Sequence, residues 1–218
     1  MELLNSKNLL KEFEVKASFY KMEVEKEYYT CRNQARLLRK GFALNSSIDA
    51  VFLLVNPGAC SASDQSYDIP VLVPTKETIP FVDAKSDQTQ WQLMRLMKLK
   101  QWNHTAIINL SDICSGNINV FLKTFKLLQS KKKYEHSILF CRRKKELEAL
   151  LNQNNGPVIA GWGTNSSIRK IAEEALKHPL LQNITGINYR QPPYFLHPRP
   201  ALMENRRIWL KKMSSLIG

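Results

Sequence analysis

The chain has 218 residues, 44% hydrophobic and 9% aromatic, which suits one folded domain and excludes a disordered or low-complexity chain. No apolar run approaches the ~18 residues of a membrane span, and Met1-Glu2-Leu3-Leu4-Asn5 lacks the basic and apolar regions of a secretory signal, so the expected compartment is the cytoplasm. Thirty-two Lys and Arg against nineteen Asp and Glu give a formal charge of +13, which speaks to partners rather than to fold.

In chain order, residues 1–30 mix charged and aromatic residues with weak alternation (Phe19, Met22, Val24, Tyr28) and predict an edge strand or hairpin. Cys31 to Lys40, followed by Gly41, predicts a helix with a glycine C-cap. Ala50 to Val55 is a continuous apolar run that stops at Asn56-Pro57-Gly58, the pattern of a strand buried on both faces and leaving by a sharp turn. From Ser61 to Gln88 no helical period holds, and Pro70, Pro74 and Pro80 interrupt the stretch; it reads as an insertion with a short extended piece from Ile69 to Val73.

Asp87-Gln88-Thr89-Gln90 opens an amphipathic helix through Lys100, and His104 to Leu110 forms a second buried strand. Helices are predicted over 120–129 and 144–152, with a short strand over 137–141 between them. Gly156 to Gly163 reads as a third central strand running into Thr164-Asn165-Ser166-Ser167, small polar caps for a helix over about 167–177. Extended segments at 184–189 and 194–197 precede a basic helix over 203–216. Alternating strands and helices predict a single domain, a three-layer α/β/α sandwich around a mostly parallel sheet, with 1–48 as an N-terminal extension and 61–88 inserted near the site.

Cys31, Cys60, Cys114 and Cys141 are scattered singly without a C-x-x-C pair, so neither a metal site nor any other cofactor is expected. The basic residues gather in two stripes, nine with one acid between Lys123 and Lys145 and six with one acid between Arg190 and Lys212. Stripes of this kind suit a phosphate backbone, although a run such as Lys131-Lys132-Lys133 also suits a solvated loop.

Strand-end residues of a parallel sheet converge on one edge, where ligands bind. Here they are Asn56, Asn109, the turn from Gly163 to Ser167, and His197. The order Asn-Pro-Gly, Ile-Ile-Asn, Trp-Gly-Thr, His-Pro-Arg-Pro resembles the uracil-DNA glycosylase superfamily, whose motifs include G-x-N-P-G, a strand ending in a base-reading asparagine, L-L-W-G and H-P-S-P. It is closest to an uncharacterised bacterial branch with L-N-P-S, D-x-T, N-L, W-G and H-P, matched by Val55-Asn56-Pro57-Gly58, Asp87-Gln88-Thr89, Asn109-Leu110, Trp162-Gly163 and His197-Pro198 over roughly residues 48–210.

The resemblance implies a fold with a central four-stranded sheet and a monofunctional DNA glycosylase without a metal or other cofactor. Asn56 would position the attacking water, and His197 would hydrogen-bond the departing base. Asp87 is the preferred carboxylate over Asp64 and Asp112, each of which also suits a cap or turn. Asn109 would read the base edge, since an amide offers a donor and an acceptor. Gly161, Gly163, Thr164, Asn165 and Ser166 would seat a phosphate, and Arg199 and Arg206 would contact DNA.

The uracil enzymes carry a tyrosine after the proline of the first motif that excludes bulky C5 groups. Gly58 stands there, so the pocket is open to a larger base, with Tyr67 and Phe81 as stacking walls. Ala201 occupies the position of the intercalating leucine, which leaves Leu202 or Met203 as the wedge. The expected substrate is double-stranded DNA, for instance phage DNA bearing a 5-hydroxymethylcytosine derivative such as a glucosylated one, excised by a monomer in antiviral defence. Two other readings stay open: a non-catalytic nucleic-acid-binding module, and an N-glycosidase acting on free nucleosides or nucleotides.

Overall fold

The computed structural model describes residues 3–73, 77–133 and 135–218. Helix α1 (Ser6–Glu12), capped by Asn5 whose side chain accepts from Asn8 N, runs straight into the first strand. Strands β1 (Phe13–Val24) and β2 (Glu27–Arg39) form a hairpin turned by Glu25 and Lys26, both at positive φ. Two such residues in a two-residue loop match the right-handed twist of the flanking strands.

The helix predicted over 31–40 is therefore a strand. Ala35, Leu37 and Leu38 suit either period, but β1 pairs on one side of β2 and a later strand on the other, and pairing overrides helix propensity. The segment before residue 48, expected as an extension, supplies the two longest strands of the sheet.

The chain continues through β3 (Ala50–Leu54), β4 (Ser61–Ala62), β5 (Phe81–Lys85), α2 (Gln88–Lys100), β6 (His104–Asn109), α3 (Ile118–Ser130), α4 (Lys144–Asn152), β7 (Val158–Ala160), α5 (Arg169–Leu176), β8 (Ile184–Thr185) and α6 (Met203–Leu216). The fold is α/β, but its sheet is mixed and eight-stranded, in the order β4-β5-β1-β2-β6-β3-β7-β8. The expected four-stranded, mostly parallel sheet is not what forms. Strands β6, β3, β7 and β8 are parallel, while the hairpin and β5 extend the sheet by antiparallel pairing beyond β6. The strand expected over 137–141 is absent: β8 takes the outer edge of β7, and the segment turns into a short 3₁₀ stretch at Cys141–Arg143.

Both faces of the sheet are covered. Strand β3 is buried throughout; Ala50, Phe52 and Leu54 face a cluster completed by Leu9, Leu93, Met94, Met97, Trp209 and Leu210 from α1, α2 and α6. Val51 and Leu53 face the opposite cluster with Leu147, Leu150, Ala172 and Ala175 from α4 and α5. Helix α3 covers the outer part of the hairpin on that same side through Phe121, Phe125 and Leu128. Burial of this apolar surface contributes roughly 25 cal/mol per Å² and dominates the stability.

The parallel register sets up the site. Leu54 pairs with Asn109, so β3 and β6 end level, and Leu110 N and Ser111 N continue the ladder to Leu54 O and Val55 O (2.8 and 3.1 Å). Gly161, just past β7, allows the segment carrying His197 to press against this edge. A Cβ at 161 would lie 2.9 Å from Pro198 Cδ and 3.2 Å from Leu54 Cδ2. Among the described residues, no helix is long and apolar enough to cross a membrane.

Candidate active site

At the carboxyl edge of β3 and β6 lies a cleft of about 160 Å³, lined by Asn56, Gly58, Asp87, Thr89, Arg32 and His197 among others. The loop Val55–Gly58 leaves β3 with Pro57 restricting Asn56 to extended backbone. Asn56 Nδ2 donates to Ser115 O at 2.8 Å and more distantly to Ile113 O at 3.4 Å. These bonds fix the amide with Oδ1 as its remaining acceptor, and no described residue donates to it. A fixed acceptor at a cleft wall is suited to hold a water molecule.

Asp87 is the N-cap of α2, in a capping box: Oδ1 accepts from Gln90 N (2.8 Å), and Gln90 Oε1 accepts from Asp87 N (2.9 Å). Its second oxygen is directed elsewhere. A Cβ built on Gly58, at φ 69°, would sit 3.6 Å from Asp87 Oδ2. One carboxylate oxygen therefore caps the helix while the other stays available in the cleft as a proton acceptor.

His197 is half-buried, and burial pulls its pKa below the ordinary 6.5 against the opposing pull of the Asp87 carboxylate. Its Nδ1 accepts from Arg199 N at 3.1 Å; the approach to Arg199 O is longer, at 3.4 Å. The shorter bond assigns the neutral tautomer with its proton on Nε2. The imidazole is then a neutral donor toward the cleft.

Arg32 was invisible in the sequence, because a helix was expected there. It lines the cleft from β2 and is 2% exposed. Nη1 reaches Pro57 O at 3.4 Å, Nη2 reaches Asn109 Oδ1 at 3.2 Å, and Nε has no partner among the described residues. Asn109, expected to read a base edge, is wholly buried below the cleft. With its amide oriented to satisfy both groups, Nδ2 donates to Asn56 O at 3.2 Å. Its donor and acceptor are used within the protein, so it braces Asn56 instead of lining the cleft. Ser115 and Gly116, on the loop that Asn56 holds, and Ile118 at the start of α3 were also missed; small-polar loops carry no periodicity to mark them.

The other carboxylates lie elsewhere. Asp64 is exposed and accepts from Ser66 N and Oγ in a local turn. Asp112 is buried with Arg143 Nη1 at 2.5 Å and Tyr20 Oη at 3.0 Å on Oδ2. Burial pushes its carboxyl up to about 7 against the Arg143 charge.

Neither Tyr67 nor Phe81 lines the cleft. Phe81 pairs with Ser18 at the far side of β1, its ring 5.6 Å from the Arg36 guanidinium.

The remaining expected residues form the rim. Gly163 N donates to Phe195 O (2.9 Å), and a Cβ there would lie 3.9 Å from His197 Cβ. Thr164, Asn165 and Ser166 are exposed beside it, Asn165 capping the short 3₁₀ turn before α5. Leu202, 67% exposed, and Met203 stand free at the start of α6. Arg199 has a buried Nε without a partner among the described residues, whereas Arg206 donates Nε to Pro200 O and Nη2 to Ala201 O, both at 2.9 Å. Arg206 thus clamps the loop after His197.

Among the described residues no three His, Cys, Asp or Glu side chains gather as metal ligands would. A held water, a carboxylate to take its proton and a donor for a leaving group are the elements of a hydrolytic displacement. No protein-family model, no curated protein and no solved structure matches this chain.

Proposed function

We propose that the protein is a monofunctional DNA glycosylase of the uracil-DNA glycosylase type, which flips a modified base from duplex DNA and hydrolyses its N-glycosidic bond. The observation that carries this reading is that Asn56, Asp87 and His197, spread over 141 positions of sequence, line one cleft. Asn56 Oδ1 orients the water, Asp87 Oδ2 accepts its proton, and His197 Nε2–H donates to the departing base. A dissociative, oxocarbenium-like transition state needs little nucleophilic push, which suits an amide in the water-holding role.

The surroundings support a nucleic-acid substrate. Exposed Leu202 and Met203 can enter the stack where a base is extruded. The exposed Lys211 and Lys212 of α6 and Lys123 and Lys126 of α3 carry part of the +13 charge. Gly58 leaves the cleft free of a bulky side chain at the residue after Pro57, which favours a base with a large substituent, such as a glucosylated 5-hydroxymethylcytosine in phage DNA. On this reading the protein acts as a cytoplasmic monomer against invading genomes.

The test incubates the protein with modified and unmodified phage DNA and counts abasic sites. Abasic sites in the modified DNA are expected. Silence on both DNAs refutes the reading, and release of base from free nucleosides alone would replace DNA by a small substrate.

A further inference from the structure

In the β1–β2 ladder Phe19 pairs with Arg32 and Ser18 with Gln34, so Asn33 has no cross-strand partner. This one-residue bulge reverses which face each side chain takes. Ala35 and Leu37 face the cluster under α2 and α6, and strict alternation from them would send Arg32 to the opposite face. With the bulge, Arg32 stands opposite Phe19 of that same cluster, Cys31 joins Tyr20 on the other side, and Asn33 meets Arg143 there. The irregularity is what brings Arg32 to the cleft.

There it forms no ion pair. Among the described residues no carboxylate lies within 4.0 Å of Arg32. Only neutral oxygens, Pro57 O and Asn109 Oδ1, meet its guanidinium, and Nε meets none. Arg143, equally buried, has Asp112 and Glu146. Arg36 also lacks a carboxylate, but it stacks on Phe81, donates to Gln34 Oε1 and does not line this cleft. A buried guanidinium held by neutral acceptors is costly unless an anion arrives to meet it.

We propose that Arg32 is the anion-recognition group of this cleft. In the base-excision reading on which this rests, the anion is the departing base. The C1′–N bond breaks with its electron pair passing to the base nitrogen. Water supplies an oxygen to C1′ and gives its proton to Asp87. The base leaves as an anion, stabilised by the Arg32 charge and the His197 Nε2–H, and then takes a proton from solvent. Arg32 sits in the cleft before the reaction starts, so its field needs no reorganisation as charge develops.

The probe is 5-nitrouracil, a pyrimidine that ionises near neutral pH and so stands in for the departing anion, with uracil as the neutral control. Calorimetric titration of the full chain at pH 7.5, chosen so that the probe is ionised, should give about tenfold or tighter binding of 5-nitrouracil. Arg32→Gln should bring the two ligands within about twofold, and Arg32→Lys should keep most of the preference. No preference in the wild type, or a full preference in a folded Arg32→Gln, overturns the proposal.

A second measurement needs no variant. An arginine Nε–H resonance should shift on adding 5-nitrouracil and not on adding uracil, and if none shifts the proposal falls. Neither assay requires bond cleavage. A protein that makes no abasic sites yet shows the Arg32-dependent preference loses the glycosylase reading and keeps the anion site. A protein that makes abasic sites without the preference loses the anion site alone.

Discussion

Replacing Asn56 separates the catalytic claim from a structural one, because its two roles carry different magnitudes. Asn56→Ala removes the 2.8 Å bond to Ser115 O and the marginal 3.4 Å contact to Ile113 O. Only the first counts as a full hydrogen bond, about 1 kcal/mol net. Spread over a chain of this size, that lowers Tm by roughly 2–4 °C. The loss of a fixed water acceptor is larger, about 10²–10³ in rate, or ~2.7–4 kcal/mol. Abasic-site formation under single-turnover conditions, beside thermal unfolding and DNA retention, should give a large rate loss, a small Tm loss and unchanged retention.

Asn56→Asp sharpens the comparison. A carboxylate is the stronger base, but its second oxygen would face Ser115 O and Ile113 O with no proton to share. It should be less active than wild type and less stable than Asn56→Ala. Activity of Asn56→Ala within about threefold of wild type, well short of the loss expected from misplacing a reacting group, would refute the reasoning. So would an Asn56→Asp variant that is faster than wild type.

Gly161→Ala should cost roughly 1–3 kcal/mol by overpacking against Pro198, read as a lower Tm, and should slow base release by displacing His197. Arg143→Met strands the buried Asp112 and should destabilise by about 3–5 kcal/mol in chemical denaturation. His104 and His136 are buried, with pKa values pulled down from 6.5 to about 4. The two unfolded imidazoles then bind more protons than the native pair between pH 6.5 and about 4, so stability should fall as pH drops through that window. The fall is less steep than two histidines alone would give, because Asp112, raised to about 7, contributes with the opposite sign. The upper bound is about 3 kcal/mol per histidine. Urea denaturation at stepped pH measures this, and His136→Gln should flatten the slope.

Much of the fold was legible wherever one segment carried its own signal. Helices α4 and α6 take the bounds that their apolar spacing predicts, and Asp87 caps α2 as Asp-Gln-Thr-Gln suggests. The hairpin turn was harder, since Glu25-Lys26 lacks the Gly or Asn that marks such loops. Asn109 was visible as a strand end, but not as a buried one. Whether a side chain at that position meets ligand or protein depends on what Arg32 and Asn56 do beside it.

The amino-acid order alone determined the local matters: the apolar run of β3, its abrupt stop at Asn56-Pro57-Gly58, the caps, the helical faces and the charge excess. These follow from dihedral preference and side-chain periodicity within a few residues. Tertiary structure decided the rest. The place of the hairpin beside β6, the bulge at Asn33 and the arrival of Arg32 under the cleft all depend on pairing between strands far apart in sequence. A ladder hydrogen bond is the same for every residue type, so the composition of one strand does not name its partner; burial of both faces does.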